Sequence, residues 1–477
     1  MKRFLLGFSV LIALLANASC QFTEKKSASA TVAILAVNDM HSAIDMMPQF
    51  AALADSLRGV YPDLLVFSAG DNRTGSPIND MYVPTNYPMI ALMNQVGFDL
   101  CAVGNHDWDG GFEGLQRNIE DARFPFLCAN LNMPSGVKLD VKPYEIIERQ
   151  GVSIAVVGLI ETRANGLPGA HPRHYNGITF RKGIDALEDY LYLKQQSNVF
   201  ILLSHLGFEE DLEVAERYPE LDAIIGGHTH TLVQYPEKHN GVMVTQAGSG
   251  LKSATLILIT VEDGITTDVQ AKTLDVQHIR RKNAMVQAML DEFNASGDYD
   301  EPLATAMTDF TNREELGCMV TDAMRELSGA DFAFFNSGGL RIDRLKRGPI
   351  TMKDVYRLDP FNNDVVVYQM TGKQMERFVM ESYKKNGRYP SFVSGMSYRV
   401  NTASDGYPKS VSFNLDHGRF SKDEIYTVAM NSFMASTVRF ESVDDGRSIF
   451  LTTEDVLIQY LRSHPKVSYK GVSRTSH

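Results

Sequence analysis

Cys101-Ala102-Val103-Gly104-Asn105-His106-Asp107-Trp108-Asp109 runs from apolar residues of strand character into a glycine, and from there into side chains that bind metals or move protons. The same order recurs along the first half of the chain. Residues 35–37 are followed by Asn38-Asp39-Met40-His41, and residues 66–69 by Gly70-Asp71. Further on, residues 201–203 lead into Ser204-His205, and 223–225 into Gly226-Gly227-His228-Thr229-His230. Five apolar runs therefore deliver Asp, His or Asn to one edge of a sheet, because side chains at the carboxyl ends of strands in an open α/β sheet converge on a shared crevice.

Outward from these stretches, short apolar runs at 31–37, 64–69, 154–158, 199–203, 223–225 and 242–246 alternate with amphipathic or polar stretches. Runs of that length without alternation predict strands covered on both faces, so the first half reads as α/β. The period changes at 280–293, where Met285, Met289 and Phe293 would share a helical face before Asn294-Ala295-Ser296-Gly297 stops it. This helix is the expected connector. Beyond it, helices are predicted at 317–327 and 374–384, and strands at 332–335, 365–370 and 426–430. A chain of 477 residues exceeds what one core supports, and the pattern divides it into domains at 28–275 and 301–477 with a linking helix at 276–300.

The net charge of −12 disfavours a nucleic-acid polymer as partner, since such binding needs clustered Lys and Arg. Residues 1–20 read as a signal peptide, with Lys2-Arg3 ahead of an apolar run from Phe4 to Ala16. Two processing outcomes compete: cleavage after Ala16-Asn17-Ala18, or lipid attachment at Cys20 as in a bacterial lipoprotein. Either predicts an exported protein, periplasmic or held at the cell envelope, and a monomer is expected. Cys101, Cys128 and Cys318 are too few and scattered for a disulfide framework and are expected as buried small hydrophobes.

An isolated histidine is ordinarily a core or surface residue, but five of the twelve here follow strands beside a glycine, a carboxylate or another histidine. His171, His174, His239, His278, His417, His464 and His477 lack that context and read as ordinary. Mixed Asp, His and Asn donors suit Zn²⁺, Mn²⁺ or Fe²⁺, and the missing thiolates argue against a structural zinc site. The donors are too many for one ion and about right for two divalent ions sharing a carboxylate.

Asp39-Met40-His41, Gly70-Asp71, Gly104-Asn105-His106-Asp107, His205 and Gly227-His228-Thr229-His230 together resemble the signature of the calcineurin-like metallophosphoesterases. The resemblance implies a four-layer α-β-β-α sandwich. It also implies one ion on Asp39, His41 and His230, a second on Asn105, His205 and His228, Asp71 between them, and a bridging hydroxide as nucleophile. His106 would then bind the phosphoryl group or protonate the leaving oxygen, with Asp109 holding it charged.

In the second half, Asn336-Ser337-Gly338-Gly339-Leu340-Arg341 and Asp359-Pro360-Phe361-Asn362-Asn363 resemble segments of the 5'-nucleotidase family, whose domain order this chain matches over about residues 30–465. Carried over, the resemblance implies a substrate-binding α/β domain with Asn336, Gly338 and Arg341 on the ligand, Phe361 stacked on a base, and Phe433 closing the other face. Arg313 is a further candidate for a phosphate or ribose contact. Phe433 is followed by Met434-Ala435-Ser436-Thr437-Val438-Arg439, not by the family's Gly-Gly-Asp. The expected activity is hydrolysis of nucleotides to nucleoside and phosphate. Nucleotide sugars, 2',3'-cyclic nucleotides or a non-nucleotide phosphate ester stand as alternatives on account of that altered segment. A non-catalytic surface ligand-binding protein would have lost metal ligands, and none is lost.

Overall fold

The computed structural model describes residues 29–175, 177–295, 297, 299–383 and 391–476. The expected leader at 1–20, Cys20, the last residue of the helix expected at 374–384 and His477 lie outside these residues.

Two sheets face one another in the first half. One has seven strands in the order Ile265–Asp275, Ser253–Glu262, Ser29–Val37, Leu65–Ser68, Leu100–Ala102, Phe126–Leu127 and Val141–Lys142. The other has six, in the order Glu237–His239, Val242–Thr245, Ala223–Ile225, Val199–His205, Val152–Ile160 and Tyr144–Arg149. Their central strands are largely apolar because alternate residues feed different layers. In Ser29–Val37, Val32, Ile34 and Ala36 enter the core between the sheets, while Ala33, Leu35 and Val37 meet outer helices. In Val199–His205, Val199, Ile201 and Leu203 face the same inner core, and Phe200 and Leu202 face out. Helices Met47–Arg58, Tyr87–Val96 and Gly111–Asp121 cover the first sheet, and Phe208–Arg217 covers the second. The layers are thus helix, sheet, sheet, helix.

The helix expected at 280–293 is Ala284–Asn294, opened by Asn283, whose side chain accepts from the Val286 N–H. Its buried stripe differs from the expected one: Val286, Leu290 and Phe293 pack into the first domain, while Met285 is 60% exposed. Both triplets fit within one helical face and share Phe293, so the period alone does not choose between them; the stripe that packs is the one that turns Val286 and Leu290 inward and leaves Met285 outside.

In the second half, Phe392–Ser394, Phe332–Phe335, Ile425–Asn431, Asp364–Thr371 and Arg447–Thr452 form a five-stranded sheet in that order. Ala333 and Phe335 pack toward helices Arg313–Ser328 and Thr453–Ser463, while Phe332 and Phe334 pack toward Gly372–Tyr383. The hairpin Met396–Thr402 with Pro408–Leu415 was not expected. Cys101, Cys128 and Cys318 are buried free thiols. Among the described residues no helix is long and apolar enough to cross a membrane.

Candidate active site

The carboxyl ends of Ser29–Val37, Leu65–Ser68, Leu100–Ala102, Val199–His205 and Ala223–Ile225 meet where the two sheets adjoin. Gly70 and Gly104 make the approach close: a Cβ on Gly104 would lie 2.2 Å from Asp71 Oδ1, and one on Gly70 would lie 2.7 Å from the Gly104 nitrogen. Asp39, His41, Asp71, His228 and His230 all adopt left-handed backbone, with φ of 47°, 46°, 55°, 75° and 56°. Non-glycine residues are uncommon there and cost roughly 1–3 kcal/mol each, so their concentration marks a place where geometry has been favoured over stability.

The donors form two groups around Asp71. On one side, His41 Nε2 lies 2.9 Å from His230 Nε2 and 3.8 Å from Asp39 Oδ1, and His230 Nε2 lies 3.4 Å from Asp39 Oδ1. On the other, Asn105 Oδ1 is 2.9 Å from His228 Nδ1 and 3.2 Å from His205 Nε2. Asp71 reaches both, with Oδ1 3.3 Å from His205 and Oδ2 3.9 Å from His41.

Burial and neighbouring charge pull the site's titratable groups in opposite directions. Burial and the nearby Arg341 hold His41 well below its usual range, and burial with Arg341 brings His230 down to about 4. Burial raises Asp39 to about 7. Burial alone would raise Asp71 and lower His205, yet their mutual attraction dominates, drawing Asp71 well below the carboxylate range and His205 up to about 10. Asp39, His41 and His230 form one set that could hold an ion, and Asp39, Asp71 and His205 another. Asp39, Asp71 and His205 are buried with their donor atoms crowded together, an arrangement that a shared cation would relieve.

His106 stands beside the cluster. Its Nδ1 is 2.8 Å from Asp109 Oδ2, an oxygen that also accepts the Thr74 hydroxyl at 2.7 Å. Burial alone would raise Asp109, but His106, Arg73 and Thr74 together bring it below its ordinary value.

The second domain reaches into the same place. Arg341 Nη2 lies 2.8 Å from His41 Nε2, the Phe361 ring is 5.4 Å from the His106 ring, and the Arg341 guanidinium is 5.8 Å from the Phe361 centroid. Asn336 accepts from Asn431 at 2.8 Å, tying the glycine-rich turn to the short helix Ser432–Thr437 that carries Phe433. Gly338 is exposed on that turn. Arg313 Nη2 is engaged by the carbonyls of Ser337 and Leu340, so Arg313 braces the turn from behind.

Several residues of the site were not singled out from sequence. Asp107 accepts the backbone N–H groups of Gly104, Asp71 and Asn72 at 2.8, 3.0 and 3.2 Å, locking two donor loops together. Glu161 accepts from Gly169, whose carbonyl meets the Asn105 amide, and Gln246 accepts from the Thr231 N–H next to His230. Each directly follows a strand, Val152–Ile160 or Val242–Thr245, so the rule that finds His205 extends to both. His174, read as ordinary, sits near Asp109 and Arg73.

A double-sheet sandwich with Asp, His and Asn donors at its strand ends is the architecture of a metallophosphoesterase. Residues 32–232 match the calcineurin-like phosphoesterase family, and residues 297–440 match the 5'-nucleotidase C-terminal domain. The chain belongs to the 5'-nucleotidase family that this pairing of domains defines, and it is a phosphoric ester hydrolase dependent on two divalent metal ions. The 5'-nucleotidase of Vibrio cholerae is 28% identical over 438 residues, covering 78% of this chain and 77% of that protein. Endonuclease YhcR of Bacillus subtilis is 25% identical over 458 residues, 84% of this chain, which spans only 37% of that longer protein. The 5'-nucleotidase precursor from Thermus thermophilus shares the fold with a TM-score of 0.80 at 22% identity, over 94% of this chain and 99% of the other.

Proposed function

We propose that the chain is a 5'-nucleotidase, converting nucleoside monophosphates to nucleoside and phosphate. The observation that carries this reading is the meeting of Arg341 and Phe361 with His41 and His106, which sets an anion-binding fork and an aromatic face against the donor cluster. The Vibrio cholerae relative bears the same activity in its name. In this reading Asp39, His41 and His230 hold one ion, Asn105, His205 and His228 the other, and Asp71 is shared. Two divalent ions bound there supply charge neutralisation for the phosphoryl oxygens and lower the pKa of water.

The remaining work belongs to the chain's own groups. Asp109 engages His106 at Nδ1 and leaves Nε2 to give a proton to the leaving ribose oxygen. Arg341 meets the phosphoryl oxygens with its planar fork. Phe361 stacks on the base, Phe433 covers its other face, and Asn336 and Gly338 border the sugar. Residues 28–275 form the catalytic domain, 276–300 the link and 301–477 the substrate domain. The leader at 1–20 directs export, ending either in a soluble periplasmic chain or in one anchored at the envelope by lipid on Cys20, and the chain acts as a monomer.

The helix Ser432–Thr437, standing where the family's Gly-Gly-Asp follows the second aromatic, favours a second reading in which the ligand is a nucleotide sugar, a cyclic nucleotide or another phosphate ester. A substrate panel with added Mn²⁺ or Zn²⁺ separates them. AMP is expected to turn over fastest; faster turnover of a sugar phosphate overturns the first reading.

A further inference from the structure

The segment 359–363, which carries Phe361 to the seam, rests on two buried carboxyl groups. Asp359 and Glu454 are each 1% exposed. Glu454 Oε1 accepts the backbone N–H of Asn362 at 2.6 Å, and Asp359 Oδ2 accepts the Thr453 hydroxyl at 2.5 Å. Thr453 joins the two acids, since its hydroxyl also lies 3.3 Å from Glu454 Oε2, and its N–H reaches the Asn363 carbonyl at 2.9 Å. Asn362 is in left-handed backbone with φ of 50°, a conformation that a non-glycine residue keeps only when its surroundings impose it.

We infer that Glu454 is a positioning residue for substrate affinity: through the Asn362 N–H it fixes the turn that aims Phe361 at the seam. The inference rests on the reading of Phe361 as the surface on which the base stacks. Burial raises Asp359 to about 7, and burial with the nearby Asp359 raises Glu454 well above the carboxylate range. The pair therefore keeps a proton in neutral solution, as two close carboxyl groups out of water must. Tyr356, on helix Met352–Leu358, is near enough to feel the charge of both Glu454 and Asp455. A neutral acid in this place serves as a fixed acceptor, and an amide of the same shape would serve equally.

The test uses the full metal-loaded protein with AMP and with ribose 5-phosphate, which has no base, and reads the ratio of their KM values. Phe361→Ala is expected to raise the AMP KM about tenfold relative to that of ribose 5-phosphate, the size of one base–aromatic stack. Glu454→Ala is expected to shift the ratio in the same direction by a similar factor, and Glu454→Gln to restore it. Glu454→Asp, which keeps the acid but withdraws its oxygen by one methylene, carries the same expectation if the alanine variant fails to fold. A shifted ratio in Phe361→Ala with an unshifted one in a folded Glu454→Ala or Glu454→Asp overturns the role of Glu454 and leaves the Phe361 reading standing. An unshifted ratio in Phe361→Ala overturns both. A defect in Glu454→Gln equal to that of Glu454→Ala also overturns the inference, because the acceptor oxygen would then not be what matters.

Discussion

Asp71 and His106 are adjacent in space, and the structure separates what each does. Asp71 turns one carboxylate oxygen toward His205 and the other toward His41, whereas the His106 ring leans on Asp109 and Phe361. Asp71→Ala is accordingly expected to lower kcat/KM by at least about a thousandfold and to reduce bound metal, measured by elemental analysis of the purified protein. His106→Ala should lower kcat by roughly a hundred- to ten-thousandfold with metal content unchanged. Loss of metal in the second variant would mean that His106 is a ligand. The donor side chains were legible residue by residue, because a polar residue emerging from an apolar run is a local signal. The loops' fasteners were not: Asp107 acts through three backbone N–H groups, and nothing in a sequence shows which N–H groups lack partners.

At the scale of elements, strands buried on both faces were readable from unbroken apolar runs, and Phe332–Phe335 falls where expected. The long hairpin Ser253–Glu262 with Ile265–Asp275 escaped notice because its outer strand alternates polar and apolar residues at an edge, where exposure dilutes the signal. Helix Ala284–Asn294 was located, but its face was rotated, since both triplets share Phe293 and satisfy the helical period, and only tertiary packing decides between them. The corrected face makes a prediction. Phe293→Ala should destabilise the first domain by about 3–5 kcal/mol, while Met285→Ala stays within about 0.5 kcal/mol. Urea unfolding followed by fluorescence measures both, and equal effects would restore the stripe expected from sequence.

Across the whole molecule, the site is assembled from parts 300 residues apart in the chain. Arg173 lies 3.7 Å from Asp364 and Lys353 lies 3.8 Å from Asp45, so ion pairs flank the seam that Arg341 crosses. Exposed pairs of this kind contribute little to stability. Arg341, half-buried, reaches His41 across the same seam. Arg341→Ala is expected to raise KM about ten- to a hundredfold with a smaller change in kcat, read by steady-state kinetics; a pure kcat defect would count against a binding role.

His41 Nε2 is the atom on which both halves of the protein converge, facing His230 and Arg341 at once. One nitrogen lone pair serves one positive partner at a time. A divalent cation held there, as proposed, and the guanidinium would compete for it, and by thermodynamic reciprocity each would weaken the hold of the other to the same degree. A dianionic ligand between the two positive groups reverses the sign of that coupling, turning rivals into joint holders of one substrate.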